Sequence, residues 1–315
     1  MKHIFIAAGI FFAGPLFAEN VEISNGIVTA SAADKGDEVY KGVRFDRAGI
    51  ISALEANGHS YFGKIMENAA VERHDNITGA PEEFANIDIS ENGGRTRILK
   101  IGVGIIERPT AEPYNFRITY PLVDAGVRSV RVSADSIEYA HEVSSPEGYA
   151  YVYKKTLRLP KGESALLIEH SLINKGTKPI DTTVYDHNFF IIDKTGTCPD
   201  ISVKVPFKLE GEADCGMGDI AVFDGCEIKI LRCPEGEQRA LVRNIKTPQT
   251  VEGYDIKIKN AKTGGAVRIT CDRPAIKMFF WCSRATYCPE PFIAVNAACG
   301  KEFKWRYRYE FFSEK

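Results

Sequence analysis

Three ionisable residues stand among apolar and aromatic neighbours. His187 lies in "VYDHNFF" (184–190), Glu290 in "TYCPEPF" (286–292) and Lys100 in "ILKIGVGII" (98–106). An imidazole titrates near neutrality and a carboxylate is ionised there, so such groups in a sheltered place can move protons. Glu290 is held between Pro289 and Pro291. Both prolines fix the local backbone and withhold ladder donors, so this stretch reads as a strand edge or a turn. Each residue also has a plainer reading. A strand histidine is commonly a hydrogen-bonded core residue, a proline-flanked glutamate commonly faces water, and a lysine stem commonly lies along apolar surface with its ammonium in solvent.

The chain lacks several signatures that would direct the chemistry elsewhere. There is no P-loop, no G-x-G-x-x-G opening a helix, no G-x-S-x-G and no H-E-x-x-H. The formal net charge is −2, which gives no bulk electrostatic reason to bind nucleic acid or an anionic membrane. All eight cysteines fall between Cys198 and Cys299. They form no C-x-x-C and no Cys/His cluster, so neither a metal nor another cofactor is expected. Disulfides or plain buried thiols are the alternatives, and the sequence cannot choose a pairing.

The elements that must position these residues are strands. Period-two alternation runs through 127–143, "YAYVYKKTLRL", "SALLIEHSLIN", "TTVYDHNFFII", "YDIKIKN", "GGAVRITC", "IKMFFWC" and "FKWRYRYEFF", the pattern of half-buried strands. In the last, Phe303, Trp305, Tyr307, Tyr309 and Phe311 share one face. Turn signals such as "SSPEG", "LPKGE" and "NKGTKP" separate the runs. Residues 64–92 are polar and irregular and read as a long loop with one helical turn, of the length that commonly serves function. The expected fold is all-β, a large antiparallel β-sandwich with two packed sheets.

The first residues, "MKHIFIAAGIFFAGPLFAEN", combine a basic start, an apolar run too short to span a bilayer comfortably and a small residue at Ala18. This predicts a signal peptide over 1–18 and a mature domain over 19–315. The protein is then expected to be exported, periplasmic or secreted, with no membrane association after cleavage.

Beyond these patterns, the chain resembles a known family. "YKGVRFDRAGIISALEANGHSYFG", "GAPEEF" followed by "LKIGVGIIERP", "LLIEHSLINKGTKPIDTTVYDHNFF", and "CPEPF" followed by "CGKEFKWRYRYEFF" are similar to segments of the galactose mutarotase-like superfamily, and within it to exported proteins related to aldose 1-epimerase. The resemblance covers nearly all of 19–315. It implies the galactose mutarotase-like supersandwich, a mono- or oligosaccharide substrate, and an isomerase that opens a sugar hemiacetal. It places His187 at the family's catalytic histidine, as acid on the ring oxygen, and Glu290 at the catalytic glutamate, as base on O1. The family commonly carries a second active-site histidine and an arginine in the first half; here the corresponding stretch reads "RILKIGVG", without a histidine. Lys100 falls there, to hydrogen-bond a hydroxyl or attract a negative sugar substituent. Tyr114, Tyr185 and Tyr287 are candidates for stacking on a sugar, with sheet packing as the alternative for each. Two other classes are open on the same fold: a polysaccharide lyase, and a carbohydrate-binding protein without catalysis. The oligomeric state is not legible.

Overall fold

The computed structural model describes residues 20–314 apart from 64 and 67–69. The signal-peptide reading of 1–18 lies outside the described residues. The alternating segments form strands in four sheets. Helix is confined, among the described residues, to the turns Gly36–Val39 and Ile192–Lys194. This is the all-β antiparallel sandwich that the alternation predicts.

A ten-stranded sheet forms one layer, with Ser136–Ser144, Ala150–Arg158, Ala165–Asn174, Glu302–Ser313 and Gly265–Cys271 adjacent in that order. Its ladders are antiparallel. In Glu302–Ser313, Trp305, Tyr307, Tyr309 and Phe311 are buried while Lys304 and Arg306 are exposed. The facing layer is a six-stranded antiparallel sheet in the order Glu212–Cys215, Arg239–Ile245, Lys277–Ser283, Tyr287–Ala297, Ile180–Asp186, Glu82–Phe84. One apolar cluster joins the two layers, with Phe84 packed edge-on against Tyr153 and Trp305. Burial of this aromatic and aliphatic area is the main term favouring the fold.

Two sequence expectations change here. Residues 64–92 are not one long loop, because Glu82–Phe84 joins the six-stranded sheet and Ile87–Asn92 joins a separate four-stranded one. Charge hides the first of these strands: its two glutamates are held by cations that arrive from elsewhere in the chain. "CPEPF" is not a turn. It lies inside the eleven-residue strand Tyr287–Ala297, laddered to Lys277–Ser283 from Tyr287 to Phe292 but to Ile180–Asp186 only from Phe292 onward, so its prolines face a local edge within the sheet. The eight cysteines are all free thiols.

Candidate active site

Parity along Tyr287–Ala297 sets what faces what. Tyr287, Pro289 and Pro291 point into the core layer, so Cys288, Glu290 and Phe292 point to the opposite face. Phe279 is paired with Glu290, and Lys277 with Phe292, on the neighbouring strand. Tyr185 is paired with Phe292 on the other side, their rings stacked at 4.5 Å. The site is therefore built on a sheet face.

The prolines decide where His187 goes. The Phe292 carbonyl accepts from the Ile276 N–H, on the side of Lys277–Ser283. By alternation, the backbones of Pro289 and Pro291 turn toward Ile180–Asp186, where they offer no N–H. That ladder ends, and the strand stops at Asp186, one residue short of the histidine. The chain runs on along a different partner: the N–H groups of His187, Phe189 and Ile191 donate to the carbonyls of Pro81, Gly79 and Tyr61. Asn188 donates to the Pro289 carbonyl at 3.1 Å, bridging the gap.

This brings His187 Nε2 to 3.3 Å from Glu290 Oε1. The two sequence-predicted catalytic residues, a hundred positions apart, meet in direct contact. They are 4% and 6% exposed. Around His187 lie Phe189, stacked at 4.0 Å, Phe45 edge-on at 5.5 Å and Trp281 at 6.0 Å. Ile77 joins Phe45, Phe189 and Cys288 in a small apolar cluster behind the imidazole.

The surroundings control which partner holds a proton. Burial pushes Glu290 up to about 8, with the Arg44 charge opposing and Glu83 adding to the rise. Burial and the Arg44 charge hold His187 well below its ordinary range. The sequence reading has an ionised Glu290 and a protonated His187. Burial instead favours the neutral form of both, because charge is costly out of water. The two descriptions hold the same single proton and differ only in which side of the contact carries it.

Beside the pair is a network the sequence reading largely missed. Glu83 pairs with Tyr185 in the ladder, and Tyr185 donates to its carboxylate. Arg44 Nε donates to Glu83 at 2.7 Å, and another guanidinium nitrogen reaches the Tyr185 hydroxyl at 2.6 Å. The guanidinium lies 4.4 Å from the ring centres of both Phe45 and Phe116, a cation–π arrangement. Lys100 Nζ sits 3.0 Å from Glu83 and 3.0 Å from the Tyr114 hydroxyl. Burial raises the Glu83 carboxyl, but Lys100 and Arg44 outweigh it and hold it at about 2.

Of the predicted binding residues, Tyr185 lies at the site and Tyr114 stands behind Lys100. Lys100 is 1% exposed, so its charge is spent on Glu83 rather than offered to a substituent. Tyr287 is not brought to the site. It faces the core, fully buried, and its hydroxyl accepts the Ile192 N–H at 2.8 Å. The neighbour of Glu83 points the other way: Glu82 is enclosed between the layers with Lys155 and His170. Among the described residues there is no group of three or more His, Cys, Asp or Glu side chains that could hold a metal ion.

No family model matches the chain, and neither does any curated protein. Solved structures do match in fold. A galactose mutarotase related enzyme from Lactobacillus acidophilus is 12% identical, over 94% of this chain and 98% of that one, with a TM-score of 0.59. A galactose mutarotase-like protein from Clostridium acetobutylicum is 14% identical over 93% and 94%, with a TM-score of 0.57. An aldose epimerase homologue from C. elegans is 12% identical over 95% and 100%, with a TM-score of 0.56. At such identities the likeness is one of architecture: the chain has the galactose mutarotase-like β-sandwich.

Proposed function

We propose that this chain is an aldose 1-epimerase-like isomerase that interconverts sugar anomers. The observation that carries this reading is the buried contact of His187 with Glu290. Ring opening takes a proton from O1 and delivers one to the ring oxygen. Both oxygens are bonded to the same carbon, so an acid and a base that touch one another can address them from one edge of the sugar. They need not lie across a wide cleft.

From the neutral pair, His187 Nε2 takes the O1 proton as the C1–O bond to the ring oxygen breaks, and Glu290 protonates that oxygen. The carbonyl forms at C1, and the pair is left as carboxylate and imidazolium. Rotation about C1–C2 presents the other carbonyl face. Reclosure returns both protons and restores the neutral pair. Net charge in the buried site stays constant throughout, which suits a place where burial penalises charge. Tyr185, Phe279, Phe292 and Trp281 supply flat surface on the same face for a sugar ring.

The test is anomer exchange, followed by polarimetry or NMR on freshly dissolved α-glucose and α-galactose. The protein should speed equilibration, and His187→Ala and Glu290→Gln should each lower the rate by about 10²–10⁴-fold. A wild-type rate equal to that of buffer alone, or undiminished rates in both variants, would sink the reading. Release of an unsaturated uronide, seen by its ultraviolet absorbance, would point to a lyase instead.

A further inference from the structure

Lys100 and Arg44 both bond to the carboxylate of Glu83. A different cation, Lys277, stands beside Glu290 without a counter-charge. In the ladder Lys277 is paired with Phe292, and Phe279 with Glu290. The four side chains share one face, so Lys277 and Glu290 are diagonal neighbours, about 7–8 Å apart at their stems. Phe279 and Phe292 fill the other diagonal, their rings 4.8 Å apart. Lys277 Nζ lies 5.0 Å from the centre of the first ring and 4.8 Å from that of the second. Aromatic faces attract a cation, so the ammonium stays beside the surface proposed to take the sugar.

The charges around the pair do not balance. Lys277 is half-buried, and among the described residues its ammonium has neither an ion pair nor a hydrogen bond. Arg44, Lys100 and Lys277 together set positive charge against the single carboxylate of Glu83. The His187–Glu290 pair carries no net charge whichever partner holds the shared proton. A half-buried ammonium is most stable with an anion close by, and no side chain of the site supplies one to Lys277. Lys100, which the sequence offers for a negative sugar substituent, is enclosed with its charge already met. Lys277 has the exposure and the free charge that this role requires.

The atom that Glu290 serves says where on the sugar the anion belongs. In the proposed ring opening Glu290 protonates the ring oxygen, and on the side away from C1 that oxygen adjoins C5. A carboxylate on C5, with a hydrogen bond at either end, spans from Glu290 to its diagonal neighbour. A phosphate ester at C6 carries its charge two bonds farther out. Resting on the isomerase reading, we infer that the preferred substrate is a hexuronate, its carboxylate held by Lys277 while Glu290 addresses the ring oxygen. An ammonium on a flexible stem meets a carboxylate through charge-assisted hydrogen bonds.

Anomer exchange of galacturonate, galactose and galactose 6-phosphate, followed by NMR with the buffer rate subtracted, tests this. At low ionic strength kcat/KM for galacturonate should exceed that for galactose by about tenfold, and added salt should erode the advantage. Lys277→Met keeps the stem against the rings but removes the charge, and should bring the ratio close to one. Lys277→Arg should keep most of it. Taking the ratio cancels any general loss of activity in a variant. Equal values for galacturonate and galactose, a preference for the 6-phosphate alone, or a preference that survives Lys277→Met would each overturn the assignment. Calorimetry on the Glu290→Gln protein separates this inference from the isomerase reading. Tighter binding of galacturonate than of galactose, lost in Lys277→Met, by a protein without anomer exchange removes the isomerase alone. Anomer exchange with no preference for galacturonate removes the hexuronate alone.

Discussion

Arg44 acts on both members of the His187–Glu290 pair through its charge, lowering the affinity of each for a proton. A pair that works with one shared proton gives a bell-shaped pH profile, falling where His187 gains a second proton and where Glu290 loses its own. The upper limb is expected near pH 8 and the lower one well below the ordinary histidine range. Replacing Arg44→Leu removes a positive charge from beside both groups, so both limbs should move to higher pH. A kcat/KM profile whose limbs stay in place would show that Arg44 does not reach the pair. That His187 and Glu290 meet was legible in the sequence only through the resemblance of their two motifs to a known family, since each alone has a plainer structural reading. Arg44 and Glu83 were not, because "KGVRFDRAG" and "GAPEEF" resemble solvated charged segments until the fold presses their charges together. Lys100 stands out in the sequence as a cation among apolar residues, and in the fold that charge neutralises a buried glutamate.

Strand alternation was readable almost throughout, since it reflects which face each residue buries. What it could not show was where a ladder stops. Two prolines in a central strand look like a break in one dimension, yet in the sheet they end the neighbour's pairing and release His187 into the site. The short strand Glu82–Phe84 is hidden in the sequence because three residues give too little periodicity, and two of them are acids. Its approach depends on Gly79, at φ 85°, whose missing Cβ would otherwise lie 2.8 Å from both Cβ and the carbonyl oxygen of Ile51. Gly79→Ala should therefore cost about 1–3 kcal/mol in denaturant unfolding. Because the Gly79 carbonyl holds Phe189 beside His187, it should also lower the rate of anomer exchange. Unchanged stability would mean that this segment yields more easily than its contacts suggest.

Stability as a function of pH combines groups of opposite sign. Glu82 and Glu83, each held at about 2, stabilise the folded state above the ordinary carboxylate value of 4.5 and lose that contribution as pH falls. His187, His141 and His74, all depressed from 6.5 by burial, also make the folded state less stable as acid is added. Glu290, Asp186 and Asp46, all raised by burial, keep protons that the unfolded chain has released, so they subtract stability as pH rises. Between 4.5 and 6.5 these slopes oppose one another; above 6.5 the raised carboxyls act alone. Thermal midpoints should therefore run level through mildly acidic pH, drop below about 4.5 and decline from 6.5 toward 8. Glu290→Gln, which cannot ionise, should flatten the alkaline decline, and a wild-type midpoint that climbs from pH 6.5 to 8 would contradict the assignment. The molecule also carries its own optical probes. It has two tryptophans, Trp281 beside His187 and Trp305 stacked on His170 deep between the layers at 4.4 Å. Light absorbed by one reports on the door and by the other on the foundations, so emission can separate a sugar's arrival from the loosening of the sandwich, with Trp281→Phe as the blank.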